Sequence, residues 1–285
     1  SNVITFNLDE YWPLDPNSIH SYNRWMQETF FNHVNIPKEN IHIPRGDLKR
    51  DEIDTFCQEY EELIEKSGGI DLQLLGIGRT GHVGFNEPGS PRNSLTRLVT
   101  LDQVTRLDAA AGFFGEENVP LRAITMGIGT ILAARKIIVM AMGEHKRGIT
   151  YRAVEGEVTE QIPATFLQTH PHAIFAIDSA AASNLTATKQ PWVVGPVDWT
   201  DALEKRAVIG LAESIDKPLL KLDVRDFQEH HLHDLVKERG PLDAIRQRVF
   251  DSLHEGINTK PAGEQQQTVL CFSPHPDDDV ISMGG

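Results

Sequence analysis

Four short runs, Ile70 to Ile77, Ala123 to Met126, Ile137 to Ala141 and Ala173 to Ile177, are apolar with little alternation. A strand of that kind is covered on both sides, which points to a sheet with helices on each face and largely parallel strands. Helical segments separate the runs: one follows Gly129, one spans Glu144 to Val154, and a short one spans Ala164 to Thr169. Upstream, Ile19, Tyr22, Trp25, Met26, Phe30 and Val34 recur at helical spacing between Ser18 and Val34. The same holds for Ile53, Phe56, Tyr60, Leu63 and Ile64, before Gly68-Gly69 stops the segment. The expected fold is α/β, a three-layer α/β/α arrangement around a mostly parallel, Rossmann-like sheet. In such a sheet, ligands bind at the carboxyl ends of the strands.

The pattern changes near residue 190. Gln190 to Asp226 reads as irregular and proline-punctuated, Phe227 to Gly240 and Pro241 to Gly256 as two helices, and Asn258 to Gln267 as a polar linker. A further strand, Thr268 to Phe272, then runs into SPHPDDDVISMGG. These shifts predict three segments: 1–190 as the α/β domain, 191–263 as a helical linker, and 264–285 as the first strand of another domain.

Charge narrows the partners. The formal net charge of -14 leaves no global basic field for nucleic acid or an anionic membrane surface. A single phosphate on a small molecule is still compatible, because a few cations and backbone amides suffice to hold it. Cys57 and Cys271 are in no metal-like spacing and read as reduced thiols. With no membrane-length apolar run and no leader-like N-terminus, the expected location is cytoplasmic.

The chemistry concentrates in LLGIGRTGHVGFNEPG, residues 74 to 89. Its Gly76-Ile-Gly78-Arg-Thr-Gly81 spacing matches a dinucleotide turn, but the residues after Gly81 cannot open the helix such a turn requires. What the loop offers is an imidazole, His82, and a carboxylate, Glu87, at the end of a strand. GIGRTGHVGFNEP resembles the active-site loop of the glucosamine-6-phosphate deaminase family, as does FNLDEYWPL at residues 6 to 14. ITMGIGTIL (124–132) and AVEGEV (153–158) follow in the family's order, so the similarity covers roughly residues 3 to 187.

The resemblance implies a hydrolase/isomerase of amino-sugar metabolism that turns glucosamine 6-phosphate into fructose 6-phosphate and ammonia without a cofactor. It also implies a homo-oligomer with an amino-sugar phosphate as small-molecule partner. By motif position, Asp9 is the base that moves a proton between the first two sugar carbons. His82 is the ring-opening group, and Glu87 orients and charges the imidazole. Lys146 stands at the phosphate-contacting lysine, with Gly78, Thr80 and Gly81 as loop contacts to substrate. A non-catalytic sugar-phosphate sensor or deacetylase-linked scaffold, and an isomerase or lactonase on the same architecture, are the alternatives.

Two positions depart from the family pattern. Thr80 replaces an aspartate two residues before the histidine, and the segment Asp108 to Phe114 lacks an arginine expected before the Phe-Phe pair. The family's first strand-helix units, with a phosphate loop, are expected ahead of FNLDEY. At the other end, SPHPDDD resembles the opening of the zinc-dependent PIG-L-type N-deacetylases. By position this implies His275 and Asp278 as zinc ligands and Asp277 as base, with zinc expected only where that domain is complete. His230-His231-Leu-His233 reads as a solvated helix face.

Overall fold

The computed structural model describes residues 2–258. The chain divides into two compact units, one up to Val194 and one from Gly195. Cys271, the linker and the strand expected beyond 258, and His275, Asp277 and Asp278 lie outside the described residues.

The first unit is a three-layer α/β/α fold in which three of the five strand pairings are parallel. Its strands are β1 (Thr5–Phe6), β2 (Asp9–Trp12), β3 (Ile41–His42), β4 (Leu72–Gly76), β5 (Arg97–Thr100), β6 (Arg122–Thr125), β7 (Lys136–Ala141) and β8 (Ala173–Ile177). β4, β7 and β8 form a parallel sheet with β7 central, and β1 pairs with β3 in parallel. β2, β6 and β5 form an antiparallel sheet with β6 central. Neither β2 nor β5 is legible as a strand in the sequence. Asp9-Glu10-Tyr11-Trp12 begins with two carboxylates, and its pairing with β6 overrides local preference.

The core gathers the inward residues of the parallel sheet, Leu75, Ile137 and Val139, with Ile77, Val83, Met126, Ile131, Ile149 and Phe166. Burial alternates along β4 and β7 rather than running continuously. Leu72, Leu74, Met140 and Ile174 on the other face are exposed. The predicted helix at 18–34 is shorter, Tyr22–Thr29, followed by a 3-10 turn at Phe31–His33. It starts where the Ser21 hydroxyl accepts from the Asn23 amide. Pro163–Thr169 is 3-10 rather than α. Cys57 is a buried free thiol.

The second unit corrects the reading of 190–226 as irregular, since Asp201–Ser214 is an α-helix. Prolines 196 and 218 bracket a proline-free stretch. Within it the Thr200 side chain caps the helix, and Glu204, Ala207, Val208 and Leu211 form the buried stripe. Glu204 is almost fully buried and is held by Arg239 and Arg248, at 3.0 and 2.8 Å from its Oε2. The single helix expected over 227–240 is two, Val224–Glu229 and His233–Arg239, broken at His231 with φ of 61°. Among the described residues no helix is long and apolar enough to cross a membrane.

Candidate active site

Asp9 opens β2 and sits opposite Thr125 of β6, which in turn pairs with Arg97 of β5. The Thr125 hydroxyl accepts the Phe85 amide at 3.0 Å, pinning the loop after β4 onto this sheet. Gly84, at φ of 58°, lies so close that a Cβ there would stand 3.0 Å from Thr125 Oγ1 and 3.3 Å from Asp9 Oδ2. The loop that carries His82 therefore passes directly against the Asp9 carboxylate. Asn86 locks that passage: fully buried, its amide donates to the Val83 and Met126 carbonyls at 2.9 and 2.8 Å. Its Oδ1 accepts from Arg97 at 2.9 Å.

Asp9 retains some exposure, and among the described residues no hydrogen bond reaches its carboxylate. Burial, with the neighbouring Glu10 charge adding to it, pushes its pKa up to about 7. Glu10 itself is buried and takes four donors: the amides of Tyr11, Tyr22 and Asn23 and the Ser21 hydroxyl. It thereby anchors the N-terminus of the helix at 22–29.

Gly78 and Gly81 shape the seat of the imidazole. The Gly78 amide donates to the His82 carbonyl at 2.9 Å, and a side chain on Gly78 would overlap the imidazole ring. Gly81 has φ of 86° and faces Ile162. His82 Nδ1 lies 2.8 Å from Thr80 Oγ1, 3.3 Å from Thr105 Oγ1 and 3.3 Å from Glu87 Oε2. Nε2 has no hydrogen-bond partner among the described residues. Thr80 Oγ1 is also 3.4 Å from Glu87 Oε2, and the Asp102 amide donates to Glu87 Oε1 at 3.2 Å. Burial opposes ionisation of Glu87 most strongly. Hydrogen bonds and charge from His82, Thr105 and the Asp102 amide outweigh it and hold the carboxyl below its ordinary value.

Lys146 reaches the root of the same loop, its Nζ donating to the Ile77 carbonyl at 2.8 Å. It belongs to a 3-10 turn, Glu144–Lys146, immediately before the helix Arg147–Glu155, rather than to that helix as expected. Burial lowers its pKa, with Asp108 opposing and Arg79 reinforcing that shift. Arg79 pairs with Asp108 at 3.1 Å. Asp9, Gly78, Thr80, Gly81, His82, Glu87 and Lys146 are thus linked through one loop.

These positions carry a family likeness that can be measured. Residues 1–175 match the model of the glucosamine-6-phosphate isomerases/6-phosphogluconolactonase family, more than half of the chain. The chain belongs to this family. A glucosamine-6-phosphate deaminase-like protein from Bacteroides thetaiotaomicron is 42% identical over 298 aligned residues, covering 100% of this chain. The chain spans 45% of that relative's length. A glucosamine-6-phosphate deaminase from Thermoanaerobacter pseudethanolicus is 49% identical over 184 residues, 64% of this chain and 72% of the relative. The solved structure of a monomeric glucosamine-6-phosphate deaminase superposes with a TM-score of 0.62 at 40% identity, covering 65% of this chain and 76% of that one.

Thr105, Thr125, Asn86 and Arg97 are site residues that the sequence does not single out. Asn86 lies inside the glycine loop at 74–89, and its position between Phe85 and Glu87 is the available signal. The threonines and Arg97 reach the loop from distant segments, and nothing in their own neighbourhoods marks them. A cavity of about 320 Å³ in the second unit, lined by Asp201, Glu204, Lys205 and Arg248 among others, holds none of the candidate residues. Glu204 and Arg248 there are already paired with each other. Among the described residues, no group of three or more His, Cys, Asp or Glu side chains is arranged to hold a metal ion.

Proposed function

We propose that this chain isomerises and deaminates glucosamine 6-phosphate, giving fructose 6-phosphate and ammonia. The observation that carries the reading is a carboxylate that no donor among the described residues reaches, Asp9, set against the loop that holds His82 on Glu87. Family membership and the named deaminases among its relatives support the same substrate. His82, whose Nε2 has no hydrogen-bond partner among the described residues, exchanges a proton with the ring oxygen or anomeric hydroxyl and so opens the pyranose. Asp9 takes the C2 proton of the opened sugar and returns it to C1, while the C2 amine gives up one proton and the C1 oxygen gains one, leaving a hydroxyl at C1 and an imine at C2. Water then hydrolyses that imine to the ketone and ammonia, which is the hydrolytic half of the activity. A base that is half protonated near neutral pH can both accept and return a proton. Lys146 offers the phosphate a cation, and Lys146→Gln is expected to raise KM with kcat little changed.

The test is incubation with glucosamine 6-phosphate and assay of both products. Ammonia and fructose 6-phosphate in equal amounts, abolished by Asp9→Asn, support the proposal. Binding without turnover, unchanged by that substitution, supports the sensor instead, and a lactonase is identified by running a 6-phosphogluconolactone in parallel. A homo-oligomer in the cytoplasm remains part of the proposal. The monomeric deaminase among the structural relatives makes light scattering the deciding measurement. We also propose that SPHPDDD begins a zinc deacetylase domain. More than half of the Bacteroides relative lies outside the matched region. His275, Asp277 and Asp278 are outside the described residues, so no step is routed through a metal.

A further inference from the structure

Three oxygens, Thr80 Oγ1, Thr105 Oγ1 and Glu87 Oε2, surround a single imidazole nitrogen, His82 Nδ1. That nitrogen can either donate one hydrogen bond or accept one, so the arrangement has two candidate proton patterns. In the first, Nδ1 carries the proton and donates to Thr80 Oγ1 at 2.8 Å, while the Thr80 hydroxyl passes its own proton toward Glu87 Oε2 at 3.4 Å. In the second, Nδ1 is bare and accepts from Thr80. The partly negative Nδ1 then stands 3.3 Å from the Glu87 carboxylate with no proton between them, and Glu87 loses the Thr80 hydroxyl as a donor. Glu87 also accepts from the Asp102 amide, a donor available only to an acceptor oxygen. The second pattern sets like partial charges against each other inside a mostly buried site, where they are poorly screened. The first does not.

We propose that Thr80 is a positioning residue that fixes His82 in the Nδ1–H tautomer, bridging the imidazole to Glu87 and leaving the Nε2 lone pair as the nitrogen offered to substrate. The proposal rests on the functional reading only for the identity of the substrate, since the tautomer is a property of the free protein. It also reinterprets the replacement of an acidic residue at position 80. The hydroxyl is short, accepts and donates at once, and extends the reach of Glu87 without placing a second negative charge beside the first. Gly78 completes the arrangement by leaving no side chain over the ring. Thr105, from the helix Gln103–Ala109, closes the other side of Nδ1.

The test is nitrogen-15 NMR of the His82 ring in the full chain, at a pH where the imidazole is neutral, compared with Thr80→Val and Thr80→Ser. The native chain and Thr80→Ser are expected to show Nδ1–H, and Thr80→Val a mixture or Nε2–H. In the glucosamine 6-phosphate assay, kcat should fall roughly 10- to 100-fold in Thr80→Val with KM within about twofold, and recover in Thr80→Ser. Glu87→Gln provides a second route, because the anion selects the tautomer: it too should lose the uniform Nδ1–H state. Nε2–H in the native chain, or Nδ1–H retained uniformly in Thr80→Val, overturns the proposal, whatever Glu87→Gln shows. Absence of turnover in the native chain overturns the proposed function alone, and the NMR result still decides the role of Thr80.

Discussion

Asp9 on its strand and Glu87 in the glycine loop are both carboxylates at the same site, and both are largely removed from water, yet their pKa values move in opposite directions. Asp9 rises to about 7 while Glu87 falls below its ordinary value. Desolvation acts on both in the same sense, so the difference lies in the donors. Glu87 collects the Asp102 amide, Thr80 and His82. Asp9, at the start of β2, receives none among the described residues and has the Glu10 charge beside it. A satisfied carboxylate is a fixed anion that orients its neighbours, whereas one with unused lone pairs is available to a substrate proton. Environment, rather than residue type, assigns the two roles.

The strongest attempt to break this comparison is Asp9→Asn. Loss of a positioned general base should lower kcat by about 10²- to 10⁴-fold with the fold intact. In the native chain kcat should rise with pH through about 7 as Asp9 ionises. A rate that keeps its magnitude in the asparagine variant would remove Asp9 from the chemistry. Glu87→Gln comes next. It leaves His82 without an anionic partner and sets an NH2 group in a site built for an acceptor, so kcat should drop by roughly 10- to 100-fold. Stability should fall by about 1–3 kcal/mol for the unsatisfied buried groups, measured by chemical denaturation.

How far this site could be read in advance follows from where its parts lie in the chain. Gly78, Thr80, Gly81, His82 and Glu87 all fall between residues 78 and 87, so one loop after one strand announces them. Asp9 was readable as a candidate from the resemblance, but its place on an antiparallel strand opposite Thr125 was not, because β2 exists through its pairing with β6. Thr105 and Arg97 arrive through tertiary folding alone. In the fold, the apolar runs marked the parallel strands β4, β7 and β8. The helix at 201–214 is masked in the sequence by its flanking prolines, although Thr200 offers a capping signal just before it.

The comparison sharpens when carried into stability. A folded-state pKa of about 7 against an ordinary value near 4 means that folded Asp9 holds a proton the unfolded chain has released across that window. Its contribution to stability therefore declines as pH rises from about 4 to about 7. Glu87 has the opposite sign: its contribution is present above the ordinary carboxylate range and is lost as pH falls below it. Asp9→Asn should accordingly raise Tm relative to the native chain at pH 8 and give little change near pH 4. An equal difference at both values would mean that Asp9 is not the protonated group.

The smallest expected effect isolates the second cause of the Asp9 shift. Glu10 points into the N-terminus of the helix Tyr22–Thr29, where four donors satisfy its carboxylate. Its charge still acts on Asp9 through a poorly screened interior, since Asp9 and Glu10 are adjacent in the chain. Glu10→Gln removes that charge and leaves the burial of Asp9 in place. The midpoint of the rise of kcat with pH should therefore move below 7, but not as far as an ordinary aspartate, because burial is the larger cause. The glutamine amide cannot accept from all four donors, so some loss of stability accompanies the shift, and the profile has to be taken well below the melting temperature. A midpoint that stays at about 7 would assign the whole shift to burial and reduce Glu10 to a helix anchor.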